Sequence, residues 1–145
     1  MTVATALAVS LIAFFVGGSF GSFANVVVYR LPAGLSLVRP GSRCPSCETP
    51  IRPWHNIPVL GWLLIGGRCA ACDSPVSGRY PLVELVAGVM TVALLHLFAG
   101  GLVETETLLR EDLLTTIVFP SVLYSFFAVL LLVIALIDLD HFAVF

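Results

Sequence analysis

Four cysteines are arranged as two Cys-x-x-Cys pairs, Cys44 with Cys47 and Cys69 with Cys72. Each pair brings two thiolates within reach of one ion, and two pairs supply the four sulfur ligands that tetrahedral Zn²⁺ prefers, each at about 2.3 Å. Four sulfur ligands leave no open coordination position, so the metal is expected to have a structural role. The spacing therefore predicts one structural zinc site made by these four cysteines.

Two carboxylates, Asp138 and Asp140, directly follow the last long apolar run of the chain. Ionisable groups at the end of a membrane span are candidates for a functional site. The carboxyl end of a helix disfavours negative charge, which weakens an explanation of the pair as solvated caps. The two residues lie about 200° apart around a helix, so one helix does not easily aim both at one bond. Asp138 is closer to the apolar run and is the stronger catalytic candidate; Asp140 is the weaker one.

Three further polar residues, Asn25, Arg30 and Glu84, lie at the ends of the first two apolar runs that border the cysteine segment. An amide such as Asn25 needs a partner from another helix, from water or from a ligand. Glu84 has two interpretations. It either reaches water or an arginine at the amino end of a helix, or it faces a site between helices.

The composition is that of a membrane protein. The chain is 59% hydrophobic and only 11% charged, against about 25% charged residues in a soluble domain. Three runs, 1–29, 80–103 and 113–137, are long enough to cross ~30 Å of hydrocarbon. A cleaved signal peptide fits the first run poorly, since no basic residue precedes it and the run is too long. The predicted fold is all-α and polytopic, with three transmembrane helices.

The charges predict how these spans are oriented. Six of the seven basic residues, all arginines, lie between the first two runs, where only two acidic residues oppose them. The connection 104–112 is acidic instead. Because Lys and Arg are in excess on the cytoplasmic side, 30–79 and 138–145 are predicted to be cytoplasmic and 104–112 external. The cytosol keeps thiols reduced, which favours a metal over disulfides.

The segment 30–79 is predicted to be a small zinc-ribbon-like insert between the first two spans. Seven of the nine prolines lie in it, which excludes long helices. We expect short β-hairpins at the cysteine pairs, around a core that a metal stabilises because the segment is small. In the first run, Gly17 and Gly21 are four residues apart, a spacing that allows close helix packing, either within the chain or in self-association.

Seven short motifs follow one another along the chain: GSFGSFANV at 18–26, RLP at 30–32, RCPSC at 43–47, WHNIP at 54–58, CAAC at 69–72, RYPLVE at 79–84 and IDLDH at 137–141. Paired Cys-x-x-Cys motifs alone occur in many zinc ribbons. In this order, and with apolar spans between them, the motifs resemble the type IV prepilin peptidase family of bacterial inner membranes. The resemblance covers about residues 15–142.

The resemblance implies a bifunctional enzyme. Members of the family cleave the basic leader of type IV prepilins and of pseudopilins, which serve type II secretion, on the cytoplasmic side. They then methylate the new amino terminus with S-adenosylmethionine. Cleavage is that of an aspartic protease, and the first catalytic aspartate of the family corresponds to Asp138. Asn25, Arg30 and Glu84 are the candidates for binding the methyl donor and the freed amine.

The chain departs from the family at its carboxyl end. The family carries its second catalytic aspartate in a Gly-x-Gly-Asp motif on a later span, and the 145 residues contain no such motif. The chain is therefore expected to be an amino-terminal half, inactive as a protease. The alternative is a non-catalytic, membrane-anchored zinc-ribbon scaffold that binds a cytoplasmic partner. Nucleic-acid binding is not expected, since positive-inside bias already accounts for the dispersed arginines.

Overall fold

The computed structural model describes residues 3–100 and 114–142, and within them the fold is helical without named strands. The elements are α1 (Val3–Arg30), a 3₁₀ turn (Pro53–Asn56), α2 (Leu60–Leu64), α3 (Arg79–Gly100), a π-helical turn (Leu114–Val118) and α4 (Phe119–Phe142). Helices α1, α3 and α4 are long and apolar enough to cross a membrane. The predicted fold class of three spans with a cysteine-bearing insert is confirmed. The acidic connection 104–112 lies outside the described residues.

Helices α1 and α3 pack closely because glycines remove side chains from their interface. A Cβ atom added at Gly21 would lie 2.8 Å from Ala87 Cβ, and one at Gly17 would clash with Thr91. Gly88 of α3 gives the same room to Phe14 of α1. The Gly17 and Gly21 face is thus filled by α3 of the same chain, which accounts for the small residues through packing within the chain.

Helix α4 packs on this pair at the end that carries the polar groups. A small apolar cluster joins Ala24 and Val28 of α1, Val83 of α3 and Val133 of α4. Beyond it, Arg79 Nη1 of α3 forms an ion pair with Asp140 Oδ1 of α4 at 2.7 Å. The carboxyl ends of α1 and α4 and the amino end of α3 therefore lie on one side of the three-helix unit.

The insert is fastened to the helices through one short segment. The backbone N–H of Val59 donates to Glu84 Oε2 at 2.7 Å, and Pro58 lies against Gly18, where an added Cβ would come within 2.8 Å of Pro58 Cβ. Val59 has φ 64° and ψ −51°, a positive-φ conformation that a β-branched residue rarely adopts. The insert is therefore held over the α1–α3 interface by a half-buried carboxylate and a glycine.

Candidate metal centre and adjoining cavity

The first cysteine pair lies in a tight turn between Arg43 and Pro50, which form an isolated antiparallel bridge. The N–H of Cys44 donates to the carbonyl of Thr49 at 3.0 Å, and the N–H of Glu48 donates back to the carbonyl of Cys44 at 2.9 Å. Glu48 closes the turn in the left-handed region, with φ 56°. These bonds close the turn that carries both thiols. The expected β-hairpin is reduced to this single bridge.

The second pair lies in a separate turn of the same kind, 25 residues later in the sequence. Arg68 and Pro75 form the bridge, and the N–H of Cys69 donates to the carbonyl of Ser74 at 2.8 Å. The N–H of Asp73 donates to the carbonyl of Cys69 at 2.9 Å, and Asp73 has φ 58°. The two turns thus repeat one backbone geometry, residue for residue.

The four sulfur atoms meet in one cluster. Cys44 Sγ lies 3.8 Å from Cys72 Sγ, Cys47 Sγ lies 3.9 Å from Cys69 Sγ, and all four lie within 4.8 Å of one another. All four cysteines are free of disulfides. A tetrahedral site with metal–sulfur bonds of about 2.3 Å needs sulfur atoms about 3.8 Å apart. The donor set and its spacing therefore fit Zn²⁺ and can hold it as the sequence predicts.

Hydroxyl and backbone donors surround the sulfurs and favour thiolates in part of the cluster. A hydrogen bond with the Ser74 hydroxyl, helped by the N–H groups of Cys47 and Ser46, lowers the pKa of Cys44 to about 6. The Ser74 hydroxyl and N–H also lower the pKa of Cys72. At Cys69, backbone N–H groups lower the pKa, but burial and the neighbouring thiols outweigh them and raise it. Thiolate is the form that a metal binds.

The contribution of the hydroxyls was missing from the sequence prediction. Ser74 Oγ lies 3.5 Å from Cys44 Sγ and 3.2 Å from Cys72 Sγ, and Thr49 Oγ1 lies 3.3 Å from Cys47 Sγ. A signal was present in the sequence. Both pairs belong to an eight-residue repeat, Arg-Cys-x-x-Cys-acid-hydroxyl-Pro, at 43–50 and 68–75. The repeat marks the hydroxyl two residues after each pair as part of the site.

The polar residues near the helix ends separate into two environments. Asn25 is buried between α1 and α3, and its Nδ2 donates to the carbonyl of Tyr80 at 3.2 Å. Glu84 bonds to Val59 N–H and to the Ser22 hydroxyl. Neither carboxylate oxygen of Glu84 forms an ion pair with an arginine among the described residues. Glu84 therefore faces the junction of the helices and the insert.

A cavity of about 260 Å³ lies between α1 and the insert. Its wall on α1 includes Ser22 and Arg30, and its wall on the insert includes Ser42 and Asn56. Arg30 Nη1, at the end of α1, donates to the carbonyl of Ser36 at 3.0 Å, in the loop that follows this helix. Arg30 and Ser22, the hydrogen-bond partner of Glu84, both line the cavity, whereas Asn25 and Glu84 are outside its lining.

The two carboxylates at the end of α4 also differ in their surroundings. Asp140 is held by Arg79, with the ion pair given above. Asp138, two residues earlier on the same helix, is exposed, as is Asp140. Both lie on the side of the three-helix unit that carries Arg30 and the insert. The structure therefore places the candidate catalytic aspartate and the candidate metal centre on one side.

Comparison with known proteins supports one family. The family described as the bacterial peptidase A24 N-terminal domain matches residues 15–98. A prepilin leader peptidase/N-methyltransferase of Myxococcus xanthus is 39% identical over 88% of this chain and 33% of its own length. Proteins of the same name are 45% identical in Klebsiella pneumoniae, over 61% of this chain and 41% of the relative, and 35% identical in Aeromonas hydrophila, over 68% and 42%.

No solved structure matches the chain. The chain spans about a third to two fifths of the length of these curated relatives. The family match covers more than half of the chain and includes the cysteine turns, Arg30 and Glu84. The resemblance predicted from the sequence is confirmed: the chain belongs to the prepilin leader peptidase/N-methyltransferase family, whose bacterial peptidase A24 N-terminal domain it carries.

Proposed function

We propose that the complete protein is a bacterial inner-membrane enzyme that removes the leader of type IV prepilins or pseudopilins and N-methylates the new amino terminus. The observation that carries this proposal is the 39% identity with a relative of that name, sustained over 88% of the chain. The proposal concerns the complete protein because the chain spans only part of its relatives.

The arrangement of the helix ends supports the proposal. Asn25 bonds to Tyr80, and Arg79 bonds to Asp140, so the polar ends of all three long helices are fastened together. Cleavage creates the amine that is methylated, and an arrangement with Asp138 and the cavity on one side lets one substrate segment reach both. The excess of arginine between α1 and α3 supports a cytoplasmic position for this side.

The cavity between α1 and the insert is the methyl-transfer site in this proposal. Its volume of about 260 Å³ is just below the range of roughly 300–1,000 Å³ that is usual for small-molecule sites. S-adenosylmethionine supplies the methyl group, and the guanidinium of Arg30 suits the carboxylate of such an amino-acid donor. Glu84, beside Ser22, attracts the protonated amine of the cleaved pilin, and the amine must lose its proton before it is methylated. Asn25 positions α3 against α1.

Asp138 is one of two carboxyl groups that act on the leader in this proposal. One carboxylate removes a proton from a water molecule and the other, protonated, donates a hydrogen bond to the scissile carbonyl. Asp140 is engaged by Arg79 and is not assigned this role. In the family, the second carboxylate belongs to a Gly-x-Gly-Asp motif. This motif does not occur in the 145 residues.

The test uses the complete protein with a prepilin substrate and measures cleavage and methylation separately. Asp138→Asn is expected to abolish cleavage and to leave membrane insertion and zinc content intact, whereas the matched variant Asp140→Asn keeps substantial activity. Methylation is measured on a substrate that is already cleaved, and cleavage on the intact prepilin. Glu84→Gln is expected to lower methylation severalfold more than it lowers cleavage.

Three outcomes would count against these assignments. Cleavage at the parental rate in Asp138→Asn would remove that residue from the reaction. Equal loss of both activities in Glu84→Gln, with less protein in the membrane, would give Glu84 a purely structural role at Val59. A zinc-loaded complete protein with neither activity would favour the alternative, a non-catalytic scaffold that binds a cytoplasmic partner.

A further inference from the structure

Helix α2 presents large apolar side chains that the described part of the protein does not cover. Leu60, Leu63 and Leu64 are 45%, 58% and 69% exposed, although the helix is only five residues long. No formally charged residue occurs between Arg52 and Arg68, the segment that contains this helix. An aqueous surface would normally carry charges at such positions.

The attachment of the insert fixes the depth of this segment. Val59, the residue before α2, bonds to Glu84, which lies five residues beyond Arg79, or about 7.5 Å further along α3 at 1.5 Å per residue. Pro58 lies against Gly18, twelve residues before Arg30 and about 18 Å back along α1. The start of α2 is thus well below the arginines that mark the membrane surface.

The shorter of these two distances, about 7.5 Å below Arg79, corresponds to the lipid interface, and the contact with Gly18 places Pro58 no nearer to the surface. Apolar faces of interfacial helices are buried about 5–10 Å into the boundary between headgroups and acyl chains. Trp54 is half exposed, and the Arg52 guanidinium carbon lies 5.6 Å from the centre of its ring. Tryptophan and arginine at the margin of an apolar segment are typical of the headgroup belt.

We propose that α2, with the exposed face of Ile57 and Trp54, is immersed in the lipid leaflet on the side of Arg30 and Arg79. The lipid acyl chains cover Leu60, Leu63 and Leu64, and the headgroups surround Arg52 and Trp54. The insert then has a lipid anchor in addition to its two chain connections. This surface is independent of the proposed catalytic activity, because it depends only on the depth of Pro58 and Val59.

Photolabelling of the unmodified protein in vesicles tests this inference. The probe is a photoactivatable carbene on the acyl chains of phosphatidylethanolamine and phosphatidylglycerol, and mass spectrometry locates the label. Leu131, 65% exposed in the middle of α4, is the internal standard for lipid contact. Leu35, 52% exposed and bonded through its N–H to the carbonyl of Arg30, is the matched leucine above the surface.

The leucines of α2 are expected to be labelled severalfold more than Leu35 and at a level similar to Leu131. Labelling of α2 no stronger than that of Leu35, with Leu131 labelled, would overturn the inference and would show that water or another protein segment covers α2. In a variant pair, Leu64→Asp should reduce the label on α2 severalfold, and Leu35→Asp should leave it unchanged. An unchanged label in Leu64→Asp would also contradict the inference.

Discussion

The two cysteine turns share one backbone but not one environment. In both, the N–H of the acidic residue donates to the carbonyl of the first cysteine, and the acidic residue has a positive φ. Cys44 of the first turn is buried, whereas Cys72 of the second is exposed. Thr49 contacts one sulfur of its own turn, while Ser74 contacts a sulfur of each turn. The comparison shows that the sequence repeat sets the backbone and that single hydroxyls make the two halves unequal.

The second turn is also the one that is joined to the rest of the insert. Trp62 of α2 donates its indole N–H to the carbonyl of Val76 at 3.0 Å, and its ring lies against Gly67, where an added Cβ would approach within 2.6 Å. Arg68 and Asp73 add an exposed ion pair at 3.0 Å. The second turn thus connects the metal cluster to α2 and, through Val59, to Glu84.

The largest expected effect comes from removing a ligand from either turn. Cys44→Ser and Cys72→Ser should each abolish stoichiometric zinc binding, measured by elemental analysis of the purified protein. Structural zinc supplies apparent binding energies on the order of 10–16 kcal/mol in small domains, so its loss should also unfold the insert. Cys44→Ser should lower the yield of folded protein more, because it leaves a hydroxyl at a buried position.

The four-ligand site would be disproved by an unchanged zinc content in both serine variants. Zinc loss in only one of them would mean that one turn binds the metal without the other. Treatment with a strong chelator should reproduce the effect in the parent protein and make all four thiols reactive towards alkylating reagents, since zinc protects thiolate ligands.

An intermediate effect is expected for the two hydroxyls. Ser74→Ala should weaken zinc affinity by about 10–100-fold, the usual range for partners of metal ligands, because one hydroxyl contacts sulfurs of both turns. Thr49→Val keeps the shape of the side chain and removes the hydroxyl of the first turn, so it should weaken zinc affinity less than Ser74→Ala does. Competition with a chromogenic chelator measures both affinities. An equal or greater loss of zinc affinity in Thr49→Val would contradict the inequality of the two turns.

The sequence was sufficient to predict the cluster of four cysteines and the three spans because both signals are local. The spacing of Cys44, Cys47, Cys69 and Cys72 defines the donor set, and uninterrupted apolar runs define the three membrane helices. The placement of Asn25, Arg30, Glu84 and Asp138 in catalysis stays a prediction.

The docking of the insert could not be predicted in the same way. It depends on a carboxylate of α3 meeting the backbone N–H of Val59, and a backbone donor leaves no mark in the sequence. The positive φ of Val59 likewise contradicts the preference of a β-branched residue. The apolar composition of the stretch around Trp62 is compatible both with packing under the metal and with contact at the membrane interface. Its contacts with Gly18 and Glu84 are visible only in the structure.

The smallest effect concerns the residues that close the turns. Glu48 and Asp73 adopt the left-handed conformation, which costs a residue with a Cβ atom about 1–2 kcal/mol and costs glycine almost nothing. Glycine offsets part of this gain through its greater freedom in the unfolded chain, by roughly 0.5–1 kcal/mol. Glu48→Gly should therefore raise the apparent melting temperature of the zinc-loaded protein slightly. Asp73→Gly should raise it less, because it also removes the ion pair with Arg68, whose exposed groups contribute about 0–1 kcal/mol.

Thermal unfolding in detergent, with zinc release as the readout, measures both variants. A marked destabilisation in Glu48→Gly would show that the carboxylate of Glu48 has a role at the first turn that the second turn does not need.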